Sequence, residues 1–116
     1  MGAPEFSNET ETIFALASGA GRAGIAIIRI SGPGSGPALA AIIGGKVGCP
    51  LKPRRATVVK LSDPETSEAI DDGLALWFPA PNSFTGEDVA EFHVHGGPAV
   101  VIGALDALSA MAGLRM

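Results

Sequence analysis

Residues 71–98 read DDGLALWFPAPNSFTGEDVAEFHVHGGP, and the grammar of the chain changes three times within them. Residues 73–78 (GLALWF) are an apolar, aromatic-bearing run of strand length, which Pro79, Pro81 and Asn82 then break. Residues 89–95 (VAEFHVH) alternate, so a strand here sets Glu91, His93 and His95 on one face and Ala90, Phe92 and Val94 on the other. Gly96, Gly97 and Pro98 end that strand, and proline suits the first turn of a following helix. A strand with one wholly apolar face needs a covering layer, and the helix that follows it is the nearest candidate.

Outward from this stretch, residues 12–17 (TIFALA) and 25–30 (IAIIRI) are rich in β-branched residues and predict two strands joined by a glycine loop. Ser31, Gly32 and Pro33 stop the second. Residues 37–43 (PALAAII) predict a short helix ending at Gly44 and Gly45. Residues 56–61 predict a third strand, joined to 73–78 by a polar turn through Asp63, Pro64, Glu65 and Thr66. After Pro98, Val101, Leu105, Leu108 and Met111 recur along one helical face, and Gly113 reads as the C-terminal cap. The order strand, strand, helix, three strands, helix predicts an α+β fold, a mixed β-sheet with two helices on one face. Residues 1–10 read as a flexible start or cloning remnant. The domain is expected to span 11–116, and the end at Met116, soon after the helix, reads as a domain boundary or a truncation.

At 116 residues, 47% hydrophobic and 17% charged, the chain suffices for one core. The net charge of -4 supplies no overall basic surplus for nucleic acid. The charge is uneven: no acid occurs from Thr12 to Ser62, whereas nine of the twelve fall between Asp63 and Asp106. Cys49 is the only cysteine, which rules out an internal disulfide within one chain. With no apolar run long enough for a membrane span and no signal-peptide pattern, a cytoplasmic protein is expected.

Residues 19–24 (GAGRAG) match GxGxxG, but IAIIRI follows where a dinucleotide site needs a helix, and no acidic residue stands some twenty positions on. Arg29 shares a strand face with Ile25 and Ile27 and needs an anionic partner; by itself this favours a structural salt bridge, with a ligand carboxylate as the other reading. Glu91 can accept two parallel hydrogen bonds from the amidine-like edge of a pterin or guanine. Three metal ligands at spacings of two along a strand would be too spread for one ion, so no metal site is expected at Glu91, His93 and His95. Gly96 and Gly97 lead into a helix N-terminus and are either an anion-binding turn or a plain tight turn. Residues 84–88 either cap the next strand or wall a pocket.

ETIFALASGAGRAGIAIIRISG (residues 11–32) together with residues 71–98 resembles the amino-terminal domain of the MnmE (TrmE) family of tRNA-modification GTPases. The likeness rests above all on LWFPAPNSFTGED followed by a glutamate-bearing strand and HGGP. The resemblance implies a domain like the tetrahydrofolate-binding part of the glycine-cleavage T-protein, forming a homodimer with 5-formyltetrahydrofolate near the interface. It implies Arg29 and Glu91 as folate-binding residues, with Arg22, His95, Gly96 and Gly97 completing the pocket, and a further family lysine beyond Met116. GAGRAG stands where a PPGRGG-like loop is usual, and His93 and Val94 stand where glutamine and glycine are common. For a complete protein the resemblance implies a helical domain, a GTPase domain using Mg²⁺ and K⁺, the partner MnmG (GidA), and modification of C5 of the tRNA wobble uridine. The 116 residues contain no phosphate loop of the GxxxxGKS or GxxxxGKT type, so no catalysis by this chain alone is expected. Two other readings stay open: a dimerisation module without folate, and a fragment of a T-protein-like folate enzyme.

Overall fold

The computed structural model describes residues 11–18, 24–44, 51–83 and 85–116. Its elements are β1 (Thr12–Leu16), β2 (Ile25–Ser31), α1 (Ser35–Ile42), β3 (Thr57–Ser62), β4 (Ala69–Phe78), β5 (Val89–His95), α2 (Pro98–Ser109) and β6 (Leu114–Arg115). The strands form one sheet in the order β3-β4-β5-β2-β1-β6. All neighbours are antiparallel except β1 and β6, so the fold is α+β with a mixed sheet and two helices.

Alternation along the strands divides the sheet into two chemically different faces. On one, Phe14, Ile28, Ile30, Phe92, Leu61 and Trp77 are buried in a single cluster with Leu39 and Ile42 of α1 and Ala104, Ala107 and Leu108 of α2. Removing each large apolar side chain from water contributes roughly 1.5–3 kcal/mol, which makes this layer the main source of stability. Both helices lie over it. The opposite face carries Ile13, Ile25, Arg29, Glu91, His93, Leu74 and Val58, and among the described residues no helix lies upon it.

Four sequence expectations change in detail. Strand β4 begins at Ala69 rather than at residue 73, because the backbone of Asp71 and Asp72 pairs with Leu61 and Lys60 even though those acids show no strand-like alternation. Helix α1 begins at Ser35, whose hydroxyl donates to the Gly32 carbonyl at 2.8 Å, and Pro37 falls within its first turn. Helix α2 ends at Ser109, with the Ala110 N–H closing on the Asp106 carbonyl. Gly113, at φ 85°, therefore turns the chain toward β6 rather than capping the helix. The unforeseen strand β6 is only two residues long, and it pairs with β1 while Arg115 Nη2 meets Glu11 Oε2 at 2.7 Å.

Two glycines are fixed by close approach. Gly32 sits at φ 134°, and a Cβ there would stand 2.4 Å from the Glu11 carbonyl oxygen. A Cβ on Gly73 would stand 2.4 Å from the His93 carbonyl oxygen, so only glycine lets β4 come this near β5.

Candidate functional site

The pairing of β2 with β5 sets Arg29 directly opposite Glu91 on the uncovered face. Arg29 Nε and Nη2 donate to Glu91 Oε2 at 2.8 and 2.7 Å, and Glu91 Oε1 is 2.9 Å from His93 Nε2. A two-pronged guanidinium contact of this kind is among the stronger charge-assisted arrangements. Arg29 therefore has the protein carboxylate that the residue-level reading asked for. Burial pushes the Glu91 carboxyl up, but the hydrogen bonds from His93 and Arg29 and the Arg29 charge outweigh it and hold the group below its ordinary value.

Glu91 also lines a cleft of about 420 Å³ together with Arg54, Phe78, Asn82 and Ser83. Residues 79–83 and 85–88 of the following loop fold back over this end of the face. Ser31 Oγ hydrogen bonds with Thr85 Oγ1 at 2.8 Å and donates to Glu87 Oε1 at 2.9 Å, while Ala80 N–H donates to Asp88 Oδ1 at 2.8 Å. The Ser83 hydroxyl bonds to the Glu87 carbonyl, drawing the two arms of the loop together. Beneath it, Val89 and Ser31 are buried although their positions belong to the face without a helix. The loop is thus a wall of the cleft and a roof over its neighbours.

Arg54 enters from the turn before β3. Its backbone sits at φ 62°, with its N–H donating to the Trp77 carbonyl at 2.9 Å, and Nη2 donates to the Asn82 carbonyl at 2.6 Å. Sequence reasoning passed over Arg54, Phe78, Asn82 and Ser83 as site residues. Arg54 lies in an irregular stretch, and only the β3–β4 pairing carries it to the end of β4, where the loop begins.

The other sequence candidates stand elsewhere. His95, 74% exposed, turns Nδ1 to the Asp71 carboxylate at 2.9 Å, and its backbone N–H donates to Asp71 Oδ2 at 2.8 Å. Burial pushes the Asp71 carboxyl up, while the bonds from His95 prevail and hold it below its usual value. Gly96 N–H donates to the Gly24 carbonyl, and Gly97 is the N-cap of α2, without a side-chain cap. These three lie at the end of β5 away from the loop and do not line the cleft with Glu91. Arg22 and Phe84 lie outside the described residues.

The uncovered face is also apolar around this pair. Ile25 is 60% exposed, Ile13 48%, Val58 77% and Leu74 37%, and all four share it with Arg29 and Glu91.

Comparison with known proteins gives the family of the chain. The family model described as GTP-binding protein TrmE N-terminus matches residues 12–116. The chain belongs to that family. Among its relatives, a tRNA modification GTPase MnmE of Beijerinckia indica is 61% identical over 84% of this chain, and one of Paramagnetospirillum magneticum is 61% identical over 91%. The mitochondrial 5-taurinomethyluridine-tRNA synthase subunit GTPB3 of Homo sapiens is 60% identical over 90% of it. The match covers 21%, 23% and 21% of those relatives respectively, so this TrmE-type domain corresponds to about a fifth of a tRNA modification GTPase.

Proposed function

We propose that this chain is the 5-formyltetrahydrofolate-binding, homodimerising module of a GTPase that works with MnmG and tRNA to modify C5 of the wobble uridine. The observation that carries the reading is the Arg29–Glu91 pair at the edge of a cleft on the sheet face opposite α1 and α2. The cleft offers the ring of Phe78 beside an acceptor-only carboxylate, a combination suited to a flat heterocycle with an N–H edge.

Glu91 Oε2 already accepts two bonds from Arg29, while among the described residues Oε1 meets His93. A pterin edge needs both oxygens for a two-point contact, so Arg29 gives up one of its two bonds to Oε2 when the ligand arrives. The N–H so released can donate to another polar atom of the ligand, which reconciles the structural pairing of Arg29 with a binding role. The apolar surround of Ile13, Ile25, Val58 and Leu74 suits a second copy of the chain, which would close the cleft from outside.

Isothermal titration of 5-formyltetrahydrofolate into the chain, beside folded Arg29→Ala and Glu91→Ala variants, tests this. Binding by the wild type and its loss in both variants is expected. A folded, self-associating wild type that evolves no heat would instead favour a dimerisation module without folate.

A further inference from the structure

We propose that Arg54 is a further ligand-binding residue, and that it holds a carboxylate of the molecule whose ring edge Glu91 reads. The proposal deepens the folate reading and rests on it. Among the described residues lining the cleft only Arg54 and Glu91 are charged, and Glu91 is paired with Arg29. No carboxylate pairs with Arg54 among the described residues. The acids of the neighbouring loop are used elsewhere, Glu87 by the Ser31 hydroxyl and Asp88 by the Ala80 N–H. Among the described lining residues, Arg54 is thus the positive charge that pairs with no described carboxylate.

Arg54 is also held in place to use that charge. Its backbone N–H is tied to Trp77 at the end of β4, and the Nη2 bond to the Asn82 carbonyl sets the guanidinium along the cleft wall. A guanidinium has five N–H donors, and this bond occupies one of them. A planar fork so anchored matches a carboxylate. A reduced folate has the complementary layout: an amidine-bearing ring for Glu91, a flat body for Phe78, and carboxylates on its glutamate tail for Arg54.

The test is isothermal titration of two probes, 5-formyltetrahydrofolate and 6-methyltetrahydropterin, which lacks the tail, into the wild-type chain and into Arg54→Gln and Arg54→Lys. The wild type is expected to prefer the folate. Arg54→Gln is expected to lower folate affinity by about tenfold to a hundredfold, the range for a lost charge-assisted contact, while leaving the pterin unchanged. Arg54→Lys should retain part of the preference. Equal losses for both probes would reduce Arg54 to a prop for the loop and overturn the proposal, as would no loss for either. A wild type that binds both probes equally would overturn it too, leaving the pocket reading intact, whereas one that binds neither would sink both. Should Arg54→Gln fail to fold, added salt serves with the wild type: it should weaken folate much more than the pterin, and equal weakening would refute the assignment.

Discussion

The two faces of the sheet are built from the same strands, yet they obey different rules. Residues of β2 and β5 alternate between them, so Ile28 and Phe92 lie in the core while Arg29 and Glu91, each one position away, face outward. On the helical face most strand positions are apolar, and they form one buried cluster with residues of α1 and α2. The other face mixes exposed aliphatic side chains with a salt-bridged glutamate and leaves a cleft open beside it. One face spends its side chains on stability, and the other keeps its chemistry available. A lesion on the first should unfold the chain, and one on the second should alter what it binds.

The sharpest break in this comparison comes from the covered face. Phe92→Ala should destabilise the chain by about 3–5 kcal/mol through lost burial and the cavity left behind, read as a drop in the urea midpoint. Next is Gly73→Ala, whose added methyl meets the His93 carbonyl. It should cost roughly 1–3 kcal/mol by forcing β4 away from β5, and should lower the melting temperature accordingly.

Glu91→Gln tests whether the open face contributes stability as well as binding. It leaves the half-buried Arg29 without its carboxylate and should cost roughly 1–3 kcal/mol at neutral pH. The sign with pH follows from the depressed Glu91 value. Its ionised form is favoured by folding, so the contribution is complete above the ordinary glutamate value of about 4.3 and is lost as pH falls through the lower folded value. Wild type and Glu91→Gln should therefore differ at neutral pH and converge in acid, as followed by thermal melts across a pH series.

The smallest expected effect on folding belongs to Ile25→Asp, since a surface position 60% exposed typically changes stability by within about 0.5 kcal/mol. Its effect on assembly should be large. Sedimentation velocity should show a dimer for the wild type and a monomer for the variant, and a variant that remained dimeric would move the interface off this face.

The division between faces was legible in sequence wherever alternation was strong. IAIIRI and VAEFHVH each sort cleanly by parity, and their elements stand within a residue of expectation. The start of β4 was not legible, because Asp71 and Asp72 owe their strand geometry to pairing with β3 and show no pattern of their own. Nor were Ala104 and Ala107, small residues that bury on α2 between the larger ones by which its face was read. For the site, Arg29 and Glu91 could each be picked out as residues in need of a partner. That they face each other is a fact of register between strands 62 residues apart, which local pattern cannot supply. The cleft needed still more: a turn before β3, the end of β4 and a folded-back loop meet only in three dimensions. The family resemblance groups His95, Gly96 and Gly97 with Glu91; in the structure they stand at and beyond the far end of β5 from the cleft.

The most direct test of the claim that function resides on the uncovered face is an amide-resolved NMR titration of the chain with 5-formyltetrahydrofolate. The largest saturable shifts are expected at Glu91, Phe78, Ser83 and Arg54, with little change along α1 and α2. Shifts concentrated on the helices, or none at saturating ligand, would contradict it.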